Sequence, residues 1–147
     1  MSQNIDFTTL PSYNAWISWT PTFNNLTIGN AVVNAKYVQI GKTVHFRISV
    51  VLGSSSLVGS NPSFTLPVAS VTYGGTVGET IIGLSNFLQP ATASWNGLIA
   101  WSSTTTGVWV KLTVDGSNIT KSGLSATSPY TWGTGGELNA TGTYEAA

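Results

Sequence analysis

The chain lacks cysteine and is poor in charge. None of its 147 residues is Cys, and only 7% are Asp, Glu, Lys or Arg, against about 25% in ordinary soluble domains. The missing cysteine excludes disulfides, thiol nucleophiles and cysteine-ligated zinc. A chain of this length forms about one domain and buries enough surface to fold without crosslinks. Neutral residues must cover its surface, and there are 18 Ser, 21 Thr, 11 Asn and 16 Gly.

An excess of one charge and long apolar runs are also missing. Five cations balance five anions, and both signs are scattered along the chain. The sequence therefore predicts no positively charged patch that would attract phosphate backbones or anionic lipids, and we expect neither nucleic acid nor a membrane as a partner. No stretch reaches the roughly 20 apolar residues of a membrane helix. The first residues, MSQNIDFTTL, lack the basic start and apolar stretch of a signal peptide, so we expect synthesis in the cytoplasm.

Helical patterns are scarce, whereas alternation of period two is frequent. From residue 43 to 52, apolar side chains occupy every second position and mostly polar ones lie between them. This pattern is typical of a long, half-buried strand. A shorter run over 37–40 precedes it, and Gly41-Lys42 suits a two-residue turn with positive φ at its first position. Residues 36–52 are therefore predicted to form a hairpin.

Further strands are separated by turn residues at intervals of about 8–12 residues. The clearest spans 107–114, where alternation predicts that Val108 and Val110 point inward, and Asp115-Gly116 is a turn signal at its end. Weaker strands are predicted over 63–66, 79–84, 93–102 and 137–145. This spacing predicts an all-β fold, namely an antiparallel β-sandwich or jelly-roll-like domain.

The first 24 residues differ from the rest of the chain. They are rich in aromatic residues and proline and show little alternation, so we predict an N-terminal arm or interface segment over 1–24 and a single β-sandwich domain over 25–147. Aromatic side chains are frequent anchors of protein interfaces. The candidate interface residues are Tyr13, Trp16, Trp19 and Phe23.

Residue types that carry catalysis or bind metals are few. His45 is the only histidine and lies on the polar side of the predicted hairpin, whereas a metal site needs three or four convergent ligands. Glu79, Asp115 and Glu137 could in principle meet at the roughly 5–9.5 Å that glycoside hydrolysis uses. Nothing in the sequence places these acids together. We therefore expect no enzymatic activity, no cofactor and no metal.

Six tryptophans in a chain of this size suggest carbohydrate binding. Exposed indole rings pack on sugar rings, and Asn, Ser and Thr hydrogen bond to hydroxyl groups. Trp109 is out of phase with Val108 and Val110, so it is predicted to point outward and is the candidate carbohydrate contact. The alternative is that a neighbouring chain buries this side chain.

Several motifs resemble those of a known family. They are Trp19-Thr20-Pro21-Thr22, Thr27-Ile28-Gly29-Asn30, the run 35–44 with Gly41-Lys42, Phe64-Thr65-Leu66-Pro67 and, near the end, Ser128-Pro129-Tyr130-Thr131-Trp132 and Gly142-Thr143-Tyr144-Glu145. Together they resemble the β-domain of tailed-bacteriophage structural proteins over nearly the whole chain. The resemblance implies a head decoration, minor tail or fibre-tip protein, usually a homotrimer.

Two functions follow as expectations. The first is a non-enzymatic capsid decoration protein on the virion surface, made in the host cytoplasm, which binds sister subunits and capsid through residues 1–24. The alternative is a tail-associated receptor-binding module that contacts host surface glycan through loops 53–62, 102–107 and 116–128. We favour the first because the strand pattern begins close to Met1 and leaves room only for a short arm.

Overall fold

A computed structural model describes residues 15–147, which form ten β-strands. Alternating side chains and turn residues account for most of them, since successive residues of a strand point to opposite faces. The strands are β1 (Ile17–Ser18), β2 (Phe23–Thr27), β3 (Val32–Ile40), β4 (Thr43–Val51), β5 (Leu57–Thr65), β6 (Ile81–Gln89), β7 (Ala93–Ser103), β8 (Thr106–Asp115), β9 (Asn118–Gly123) and β10 (Glu137–Glu145).

The hairpin of β3 and β4 forms as predicted. Gly41 has φ +59° in the turn, a conformation that favours glycine because it has no side chain. Along β4, Val44, Phe46, Ile48 and Val50 are buried, while the residues between them are half-buried or exposed. The period-two pattern therefore correctly predicts which side chains of β4 face the core and which face away from it.

All strand pairs are antiparallel, and one sheet runs in the order β1-β3-β4-β10-β6-β7-β8-β5-β2, with β9 beside β8. The two edge strands of this sheet, β1 and β2, follow one another in the chain. Because β1 pairs with β3 and β2 pairs with β5, the short segment between them connects the two edges. Between them, Trp19 donates its backbone N–H to Ala35 and its indole N–H to Thr65. The sheet therefore curls around a single core, which confirms the predicted all-β antiparallel class.

Aromatic rings from opposite sides of the curled sheet fill the core. The ring of Phe46 on β4 lies 5.9 Å from that of Phe64 on β5, and Phe64 lies 4.6 Å from Trp109 on β8. All three side chains are fully buried. Burying a side chain of this size contributes about 1.5–3 kcal/mol, so these rings are a main source of stability.

Other boundaries differ from those predicted. The predicted domain boundary after residue 24 falls inside β2, and β1 and β2 both pair with strands of the predicted domain. Strand β9 forms over a stretch predicted to be a loop, because its polar residues pair with β8 across the Asp115-Gly116 turn. Within residues 15–147, no helix is long and apolar enough to cross a membrane.

Candidate functional site

The side of the sheet turned away from the core carries the features that could bind a partner. We call this side of β3, β4, β10, β6, β7 and β8 the outer face. Its side chains are mainly polar on β4 and β10, a polar row crosses from β3 to β7, and an apolar area lies beside this row on β6, β7 and β8.

The polar part contains a row of amide side chains. Residues in register across five adjacent strands are Asn34, Ser49, Asn139, Asn86 and Asn96, which we call the amide row. Asn86 donates to the backbone carbonyl of Trp95 at 3.2 Å, and Asn139 donates to Glu137 at 2.9 Å. These bonds hold the two central amides in fixed orientations, while each retains further donor and acceptor capacity.

The apolar part lies beside this row, over β6, β7 and β8. Leu84 pairs with Leu98, and Leu98 pairs with Val110, so three aliphatic side chains are adjacent on neighbouring strands. Leu84 is 63% exposed and Ile81 is 40% exposed, and the other two are half-buried. We call Ile81, Leu84, Leu98 and Val110 the apolar face.

An open depression of about 540 Å³ lies where the two parts meet, and we call it the Trp16 depression. Its lining combines an indole, aliphatic side chains, glycine backbone, hydroxyls and an imidazole, from Trp16, His45, Ile81, Ile82, Gly83, Leu84, Thr141, Gly142 and Thr143. Gly83 and Gly142 are cross-strand partners in its floor. His45 and Thr143 are also partners, and Nδ1 of His45 lies 2.9 Å from Oγ1 of Thr143.

The predicted interface aromatics are distributed differently. Trp16 is exposed at the Trp16 depression, with its ring centroid 5.0 Å from Cζ of Arg47. Trp19 and Phe23 are half-buried against the core, and Phe23 stacks on Trp109 at a centroid distance of 6.3 Å. Their rings therefore serve this subunit's own packing. Tyr13 lies outside the described residues.

The predicted carbohydrate contact at Trp109 is wrong, because its side chain is fully buried in the core. Val108 and Val110 lie on the outer face instead, so the predicted inward and outward sides of β8 are reversed. Both sides of this strand are apolar near residue 109. The larger aromatic side chain fills the core, and the valines remain on the opposite side.

Two of the candidate catalytic acids have partners within the chain. Glu79 forms an ion pair with Lys121 at 2.7 Å, and Glu137 accepts the bond from Asn139. Across residues 15–147, the structure brings together no group of three or more His, Asp or Glu that could hold a metal ion.

The apolar face and the amide row were not predicted as sites. The alternation on β6 and β10 could have indicated which residues share the outer face, but their alignment depends on the strand order. Because β10 inserts between β4 and β6, residues distant in sequence become neighbours.

Comparisons with known proteins identify no relative: neither the family models, nor the curated proteins, nor the solved structures contain a match to this chain.

Proposed function

We propose that this chain is a non-enzymatic structural protein of a tailed-phage virion, which assembles as a homotrimer and decorates the capsid. Its mechanism is cementing, in which a subunit that binds the assembled shell stabilises it by mass action. The motifs that resemble phage structural proteins and the all-β fold support this proposal.

The observation that carries the proposal is the apolar face. Contiguous apolar patches larger than a few hundred Å² are rare on monomeric soluble proteins and mark sites of association. Leu84, with 63% of its surface exposed, lies between Ile81 and Leu98 on the outer face. Burying a leucine completely contributes about 1.5–3 kcal/mol. Covering the exposed parts of Leu84 and Ile81 in each subunit contributes a fraction of this per residue and favours assembly.

The charge distribution favours a second copy of the same chain as the partner. The four residues of the apolar face are uncharged, and the whole chain has a formal net charge of zero at pH 7. Identical subunits therefore approach one another without the repulsion that a strongly charged chain would experience.

Several residues of the resembling motifs lie in turns and at strand ends. Gly29 and Gly41 have φ values of +54° and +59°, and Pro67 follows β5. Glycine at these turns and proline beyond a strand end serve the backbone rather than a reaction. The motifs thus support a structural role.

Location on the particle tests the proposal directly. Virions that carry this chain would be labelled with an antibody against it and imaged by electron microscopy. Label spread over the head is expected. Label confined to the tail would overturn the capsid assignment and support the tail-associated alternative.

A further inference from the structure

We propose that the Trp16 depression binds a saccharide, with the indole of Trp16 as the surface on which a pyranose ring packs. This site differs from the predicted one at Trp109, which is buried. Ile81 and Leu84 also belong to the apolar face, so the site is open in the single chain, and saccharide binding competes with assembly through that face.

The shape of the depression suits a sugar ring. Ligand sites generally occupy about 300–1,000 Å³, and this open depression of about 540 Å³ has room for one or two sugar rings. Trp16, 44% exposed, lines it together with Ile81 and Leu84, and the paired Gly83 and Gly142 contribute backbone to its floor. The indole and the aliphatic side chains of the lining complement the apolar C–H faces of a pyranose.

The polar groups suit the hydroxyls of a sugar, which both donate and accept hydrogen bonds. Thr141 and Thr143 are exposed on β10. The Thr141 hydroxyl donates to Phe46 O at 3.3 Å and the Thr143 hydroxyl is paired with His45, so both oxygens serve a ligand mainly through their remaining acceptor capacity. Nδ1 of His45 is engaged with Thr143, so Nε2 is the ring nitrogen that can serve a ligand. These side chains are short and are fixed on central strands, so little conformational entropy is lost on binding.

The charge at the site selects among saccharides. The guanidinium of Arg47 stacks near the Trp16 ring and is exposed, while none of the residues that line the depression is a carboxylate. The depression can therefore bind either a neutral sugar or one with a carboxylate, because both classes have a pyranose ring that packs on the indole of Trp16. Arg47 lies beside the Trp16 ring and does not line the depression, so it adds a charge-assisted bond only for a uronic acid whose carboxylate extends past that ring.

The test uses the full chain, unmodified and with Val110→Asp, and an array of neutral and uronic-acid-containing oligosaccharides, followed by NMR titration of the best binder. Val110 belongs to the apolar face but does not line the depression, so this substitution is expected to leave single chains with the site uncovered. We expect binding that shifts the indole N–H resonance of Trp16. Trp16→Ala is expected to weaken affinity about tenfold or more, and Trp16→Phe to retain most of it because the aromatic surface remains. Arg47→Gln separates the two classes, since it weakens only the acidic sugars.

Ile119→Ala is the matched control. Ile119 is 71% exposed on β9 and does not line the Trp16 depression, so its replacement is expected to leave affinity unchanged. The inference is overturned if no saccharide on the array binds, or if Trp16→Ala binds as tightly as the unmodified chain. These outcomes leave the proposed capsid role standing, because that role is tested by location and assembly.

Discussion

Cζ of Arg47 lies 5.0 Å from the centroid of the Trp16 ring, on the outer face of the sheet. This contact joins a residue that precedes β1 to the middle of β4. Exposed cation–π contacts of this kind contribute about 0.5–1 kcal/mol. Together with the pairing of β1, the contact fixes the position of Trp16 at the depression.

The first prediction concerns Trp109. Replacing this fully buried residue by Ala is expected to lower the free energy of unfolding by about 3–5 kcal/mol, because the ring leaves a cavity beside Phe64. Among the described residues, the indole nitrogen of Trp109 has no hydrogen-bond partner. Trp109→Phe removes this unpaired group and keeps an aromatic ring in the core, so it should lower the free energy of unfolding much less than Trp109→Ala does. Urea denaturation measures both.

Trp16→Ala is the control for this prediction. Trp16 lies outside the core and is 44% exposed, so its replacement, which removes the contact with Arg47, should cost much less than that of Trp109. Equal losses for Trp109→Ala and Trp16→Ala would contradict the placement of Trp109 in the core.

The second prediction compares a glycine required by its backbone conformation, Gly41, with a glycine required by lack of space, Gly142. Gly41 has φ +59° and open space around it, whereas a Cβ at Gly142 would lie 2.6 Å from the ring of Phe46 and would also meet the carbonyl of Ile82. Gly41→Ala should cost about 1–2 kcal/mol from backbone conformation. Gly142→Ala should cost more, because neither the buried ring nor the strand backbone can move away.

Thermal unfolding of the two variants measures the difference. A Gly41→Ala variant that is less stable than Gly142→Ala would show that the core beside Phe46 has room for a methyl group.

The third prediction is a loss of stability at high pH. Burial raises the pKa of Tyr144 to about 12, and burial together with the negative charge of Glu137 raises that of Tyr130 to about 12. The pKa in the unfolded chain is about 10. The stability that these tyrosines contribute is therefore fully present below pH 10, and it falls between pH 10 and 12 because the unfolded state loses its protons first.

Urea denaturation at pH values from 9 to 11.5 tests this, with Tyr144→Phe for comparison. The variant should be less stable at pH 9, because the Tyr144 hydroxyl donates to Val68 O at 2.6 Å and accepts from Val68 N. It should lose less stability than the unmodified chain as the pH rises. Parallel pH profiles for the two chains would contradict the assignment.

The β3–β4 hairpin could be predicted from sequence because the two signals agree. Polar and apolar residues alternate over β4, and Gly41-Lys42 supplies the turn. Strand β8 could not be oriented in this way. Valines occupy one side and Trp109 the other, and an alternating pattern with apolar residues on both sides does not identify which side faces the core.

The candidate site was harder to predict than the fold. Trp16, Leu84 and Thr143 come from three separate parts of the chain and meet because β10 lies between β4 and β6. Strand order is a long-range property that local alternation does not contain. The sequence indicated Trp16 as an interaction residue but carried no signal for its neighbours.

Sedimentation velocity of the full chain at micromolar concentration tests whether the chain assembles through the apolar face. We expect a species of three times the 15.4 kDa chain mass. Leu84→Asp should reduce it to single chains, whereas Ile119→Asp, at a comparably exposed residue outside the apolar face, should not. A single-chain mass for the unmodified protein, or a trimer that Leu84→Asp leaves intact, would show that the apolar face is not the assembly surface.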